Sequence, residues 1–128
     1  MVIALKTRRW NDPVEPDDGQ RLLVCRYRPR GVARADETWQ AWMKELGPSQ
    51  QLHADYYGKH GAPIGWDEYR RRYLAEMLAQ DYRIGALADE LAQGERITLL
   101  CSSACVDVER CHLSLLRGRI EARIARRR

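Results

Sequence analysis

Phenylalanine is absent from this 128-residue chain, so its aromatic load rests on four tryptophans and six tyrosines. Tryptophan and tyrosine each carry a polar atom that needs a partner when buried. Long apolar runs are missing as well. Nothing approaches the ~20 consecutive apolar residues that a membrane helix requires, so no membrane partner is expected. The N-terminal Met-Val-Ile-Ala-Leu-Lys-Thr-Arg-Arg places its charges after a short apolar stretch. A secretory leader has the opposite order, and a cytoplasmic location is the expectation. There is no internal repeat, heptad run or low-complexity segment. A chain of this length with 45% apolar and 31% charged residues reads as one globular domain spanning 1–128.

Only four cysteines and three histidines are present, yet three of the cysteines and one histidine crowd into twelve positions, 101 to 112. The segment reads Ile97-Thr-Leu-Leu-Cys-Ser-Ser-Ala-Cys-Val-Asp-Val-Glu-Arg-Cys-His112. An apolar run delivers Cys101 to its end, a small polar loop carries Cys105, and Cys111-His112 opens a predicted helix. Ligands of open α/β sheets collect where strands end and helices begin, which marks this segment as the candidate site.

Elsewhere the pattern alternates short strands and helices. Val2 to Leu5 and Leu22 to Cys25 read as strands, separated by the turn-rich Asn11-Asp-Pro-Val-Glu-Pro-Asp-Asp-Gly19. Trp39, Trp42, Met43 and Leu46 recur at helical spacing behind a potential cap at Asp36, and Gly47-Pro48 stops the run. Ser49 to Tyr57 predicts a short helix. A longer one carries Trp66, Tyr69, Tyr73 and Met77 on one face, with Asp67, Arg70, Arg71 and Glu76 facing water. Asp81 starts a further helix that Gly94 ends. Ile97 to Cys101 is the third strand. A last helix from about Glu109 buries Leu116, Ile120 and Ile124. The expected fold is therefore α/β: a small, mostly parallel sheet of three or more strands with helices on both faces. Its parts are strand-rich 1–31, helical 36–93 and strand-loop-helix 97–128.

Two of these segments together carry a resemblance. Leu22-Leu-Val-Cys-Arg-Tyr-Arg-Pro-Arg-Gly31 is similar to the strand followed by Asp-Arg-x-Trp-Pro-Arg-Gly of the bacterial domain-of-unknown-function family 488. The 39–46 segment, Trp66-Asp-Glu-Tyr-Arg-Arg-Arg-Tyr73 and Thr98-Leu-Leu-Cys101 continue the match in order, and Cys111-His112 stands where many members have Cys-His-Arg. The resemblance covers nearly the whole chain. It implies a compact α/β fold with a cleft joining the Pro-Arg-Gly loop to the cysteine-rich loop, and it implies no common activity. Here Cys25 replaces the usual Asp, Arg28 the usual Trp and Leu113 the usual Arg.

Spacing excludes several chemistries. A phosphatase-like C-x5-R loop needs an arginine six positions after the cysteine, but those positions hold Asp107 and Cys111. Haem attachment needs C-x-x-C-H, which is absent. No Ser-His-Asp order, glycine-rich phosphate loop or carboxylate pair stands out. Three readings survive. In the first, Cys105 or Cys111 is a reactive thiol for redox or sulfur-transfer chemistry, His112 assists as acid or base, and Cys101 is core. A small anionic ligand would be held by Arg26, Arg28 and Arg30 with Ser102 and Ser103. The same arginines, with Arg8 and Arg9, can equally brace loops against Asp17, Asp18, Asp36 or Glu37. In the second, Cys25, Cys101, Cys105 and Cys111 hold zinc or iron in a non-catalytic accessory protein, although C-x3-C-x5-C-H is an unusual spacing for zinc. In the third, the tail works on nucleic acid: the residues from Arg117 onward carry +5 of the net +4, leaving about −1 for the rest. No cofactor and no oligomeric state follow from these residues. His53 and His60, near Tyr56 and Tyr57, read either as part of a lid or as surface residues.

Overall fold

Short leucine- and isoleucine-rich segments from both ends of the chain meet in the centre of the molecule. The structure is a computed structural model that describes residues 3–103, 105 and 107–126. Strands β1 (Ala4–Arg9), β2 (Gln20–Leu23), β3 (Ala41–Trp42) and β4 (Arg96–Cys101) form one sheet in the order β1-β4-β2-β3. Every pairing is parallel. β4 lies between β1 and β2, and all of its residues after Arg96 are buried. A strand covered on both faces reads as a continuous apolar run, as Ile97 to Cys101 nearly does. Thr98, its polar exception, donates its hydroxyl to Asp18 O at 2.8 Å.

Four α-helices complete the fold: α1 (Gln50–Tyr56), α2 (Trp66–Leu78), α3 (Asp81–Ala92) and α4 (His112–Ala125). All four enter one core with Leu5, Leu22, Val24, Ile97, Leu99 and Cys101 from one sheet face. The alternate residues Leu23, Cys25 and Leu100 face the other way and pack with Trp10, Val32 and Trp39. The molecule is a single α/β domain, as the sequence pattern predicts. Its second face, where the sequence pattern predicts helix, is covered by the segment between β2 and β3, whose regular structure is one 3-10 turn at Arg34–Asp36. No helix among the described residues is long and apolar enough to cross a membrane.

The largest departure from the sequence pattern lies at residues 39–46. No α-helix forms there. Instead Gln40 N bonds to Arg21 O and Met43 N to Leu23 O, which makes Ala41–Trp42 an edge strand, followed by a 3-10 turn at Lys44–Leu46. The helical spacing misled because its members serve different places. Trp39 belongs to the second-face cluster, Leu46 to the main core, and Trp42 is 39% exposed. Smaller differences also occur. β1 runs on to Arg9, and Val2 lies outside the described residues. β2 ends at Leu23, although Val24 N still bonds to Leu100 O. Glu76 does not face water alone: it accepts from Ser49 N at 2.8 Å and from the Ser49 hydroxyl.

Candidate functional site

The carboxyl ends of β2 and β4 open into a cleft of about 400 Å³. Its floor holds all four cysteines with Ser102 and His112. Tyr56, Tyr57, Tyr69 and His53 form an aromatic wall, and Arg26, Tyr27, Pro48, Asp107 and Arg110 complete the lining. Each cysteine arrives by a different route. Cys101 ends β4, and Cys25 follows β2 on the neighbouring strand. Cys105 sits in the loop between β4 and α4, where its N–H bonds to Ser102 O, and Cys111 is the residue that caps α4. The Sγ atoms of Cys101, Cys105 and Cys111 lie within 4.8 Å of one another, and Cys101 Sγ is 3.4 Å from Cys111 Sγ. All four are free thiols.

Cys101 is the centre of this group. Hydrogen bonds from Cys105, Cys111 and Cys25 favour its thiolate strongly enough to outweigh burial, so its pKa falls well below the usual thiol range. The donors move the other way. Cys105 is pushed up to about 12, first by its bond to Cys101. Cys25 and Cys111 are raised by their bonds to Cys101 and then by burial.

His112 is buried, and its Nε2 lies 2.7 Å from Val24 O. A carbonyl only accepts, so Nε2 carries a proton and Nδ1 is the ring nitrogen turned toward the cysteines. That atom is 3.9 Å from Cys111 Sγ. Tyr69 and Tyr73 are held protonated by burial, and Tyr57 is pushed up to about 12 chiefly by the same cause. His53 sits between Tyr27 and Tyr57, with ring centroids 4.9 and 4.6 Å away, and burial followed by the Lys59 charge lowers its pKa. His60 is exposed.

Of the residues singled out from sequence, Cys105, Cys111, His112, Arg26 and Ser102 meet in the cleft, together with Cys25 and Cys101. Arg26 also donates from Nε to Pro48 O at 2.7 Å. Arg28, Arg30 and Ser103 do not line it. Arg28 instead forms a two-pronged contact with Glu37 at 3.0 and 2.8 Å and lies over the Trp39 ring. Arg30 and Ser103 are exposed. Arg8 pairs with Glu15, and Arg9 with Asp12 at 3.2 Å. Arg8, Arg9 and Arg28 therefore brace loops. In the tail, Arg123 and Arg119 meet Asp81, and Arg117 meets Glu121 at 3.6 Å. Arg127 and Arg128 lie outside the described residues. Asp107 caps the 3-10 turn at Val108–Arg110 by accepting from Glu109 N. Tyr27, Pro48, Tyr69 and Arg110 also line the cleft, beyond what the sequence pattern singles out for the site, while Cys101 is both core, as expected, and part of the lining. Arg110 follows one turn after Asp107 beside the cysteines, and that proximity was the available signal.

Comparison with known proteins agrees on lineage. The family model described as the active DUF488-N3 subclade matches residues 5–124. The uncharacterized protein YeaO of Escherichia coli K12 is 36% identical over 99 residues, which is 77% of this chain and 83% of that protein. The uncharacterized proteins Rv3073c of Mycobacterium tuberculosis H37Rv and Mb3100c of Mycobacterium bovis are each 36% identical over 73 residues, 57% of this chain and 59% of theirs. No solved structure gives a significant match. With nearly its whole length matched, the chain belongs to the DUF488 family.

Proposed function

We propose that this protein carries out thiol–disulfide chemistry in its cleft, with Cys101 as the attacking sulfur and Cys111 as the thiol that resolves the product. The observation that carries this reading is the 3.4 Å approach of the two sulfurs on the cleft floor. Bonding them needs a closing of about 1.4 Å, to the ~2.05 Å of a disulfide. The substrate is a small disulfide bearing anionic groups, which Arg26 and Arg110 at the cleft lining attract. Cys101 thiolate attacks one substrate sulfur, forming a mixed disulfide and expelling the other half as a thiolate. Cys111 then attacks Cys101 Sγ, expels the second half and leaves a Cys101–Cys111 disulfide. The substrate gains two electrons and the protein loses two. The Cys111 proton passes to His112 Nδ1, which faces it. A dithiol reductant resets the pair.

The test is to treat the reduced protein with glutathione disulfide and map its cysteines by peptide mass spectrometry. A linked Cys101–Cys111 peptide is expected, and Cys101→Ser should abolish it. In Cys111→Ser the mixed disulfide at Cys101 should accumulate. Modification of Cys105 alone, unaffected by Cys101→Ser, would sink the assignment.

A further inference from the structure

Beyond thiol exchange, we infer that Cys101, Cys105 and Cys111 form a capture site for one soft, thiophilic d10 cation of the zinc, cadmium or cuprous class. Three sulfurs within 4.8 Å of one another match what a metal–thiolate centre needs. With metal–sulfur bonds of ~2.3 Å, tetrahedral ligands stand roughly 3.8 Å apart, and the Cys101–Cys111 pair is already at 3.4 Å. The three residues are fixed by separate parts of the fold: the end of a central strand, a loop tied back by the Cys105 N–H, and the start of α4. A site so constructed exists before the ion arrives.

The donor set determines the class of ion. Only sulfur is offered by the triad, and a fourth thiol, Cys25, lines the same cleft while its Sγ bonds to Leu100 O at 3.9 Å. Thiolate-only sets select soft or borderline ions and reject magnesium and calcium. The acidic group at Glu15, Asp17 and Asp18 makes a useful contrast. Its carboxylates are already engaged by Lys6, Arg8 and Arg21. Because the ligands must shed their thiol protons, capture releases protons. An ion bound here occupies the sulfur that the exchange reading uses, so metal silences that chemistry. The site itself does not depend on that reading.

The experiment titrates the fully reduced chain with Cd(II) under argon, following thiolate-to-cadmium charge transfer in the ultraviolet. Saturation at one ion per chain is expected, with displacement of Cd(II) changing in step with added Zn(II). One equivalent of Zn(II) should also protect Cys101, Cys105 and Cys111 together from iodoacetamide, read by peptide mass spectrometry of the wild-type protein. Loss of even an outer partner of a metal ligand costs about tenfold in affinity, so Cys105→Ser should lose at least that much. Its circular dichroism melt would confirm that it is folded. The inference is overturned if charge transfer fails to saturate at one equivalent, or if the three cysteines alkylate at unchanged rates with Zn(II). Folded Cys105→Ser binding as tightly as wild type overturns it too. Absence of a glutathione-induced disulfide with metal capture intact removes only the exchange reading.

Discussion

Arg21 is among the largest fully buried side chains, at 1% exposure, in β2 beside its two leucines. Burial of a guanidinium is tolerated only when its donors are met, and here they are. Nε donates to Thr38 O at 2.7 Å, Nη1 to Asp18 Oδ2 at 2.6 Å and Nη2 to Asp12 O at 3.0 Å. Asp18, 2% exposed, also accepts from Lys6 at 2.8 Å. Burial alone would raise its pKa, but the Lys6 and Arg21 hydrogen bonds outweigh that and hold it below the usual carboxylate value. Replacing Asp18 by Asn strands a buried cation and should cost about 3–5 kcal/mol, measured by urea unfolding at neutral pH. The linkage has a definite sign. With a depressed folded pKa, the unfolded state binds the proton more readily, so Asp18 stabilises the protein above its ordinary pKa near 3.8. That contribution fades as pH falls through the lower folded value, and the acid limb of a stability profile below about pH 4 should flatten in Asp18→Asn. None of this was legible from sequence, where Arg21 is one charge beside an apolar run. The cysteines were half legible. Their clustering named the place, and the metal reading already grouped Cys25 with them, but the 3.4 Å approach of Cys101 to Cys111 depends on how the loop between them folds back, which chain spacing does not record.

At the scale of elements, local chemistry predicted what it controls and missed what the sheet controls. Ser49 caps α1 by accepting from Leu52 N at 3.1 Å, and it was readable as the start of that helix. Its Glu76 partner on α2 was not, because that contact spans 27 residues. Ser49→Ala should therefore exceed the ~1 kcal/mol of an ordinary lost cap, since it also deprives Glu76 of a donor. A double-mutant cycle with Glu76→Gln would show coupling, and strict additivity would argue that the cap acts alone. The 39–46 segment failed for the converse reason: its helical spacing was real, but pairing with β2 satisfied the same backbone groups and won. Gly19 shows how tightly the strands constrain a turn. It has φ +65°, and a Cβ there would stand 2.2 Å from Arg96 O. Gly19→Ala should destabilise by more than about 1 kcal/mol, seen as a lower urea midpoint with an unchanged slope.

For the whole molecule, the cleft brings the end of β4 beside the start of α4, and a covalent bond there would report on both. Cys101 closes β4 and Cys111 begins the approach to α4, so a disulfide between them spans ten positions of chain. Closing a loop of that size restricts the unfolded ensemble and contributes about 2–3 kcal/mol, provided the native geometry accepts it. The sulfurs already touch, so little backbone movement opposes the bond. For a domain of this size each kcal/mol is worth about 3–5 °C in melting temperature. Protein oxidised with glutathione disulfide should then melt about 6–15 °C above the reduced form in differential scanning calorimetry, and Cys101→Ser should show no such gain. A fall in melting temperature on oxidation would mean that the thiols sit close but misaligned. The cleft would then favour a captured ion over a disulfide. Zn(II) should in that case raise the melting temperature of the reduced protein by an amount that grows with the logarithm of free ion above its dissociation constant, which separates the two uses of one cysteine cluster by their dependence on concentration.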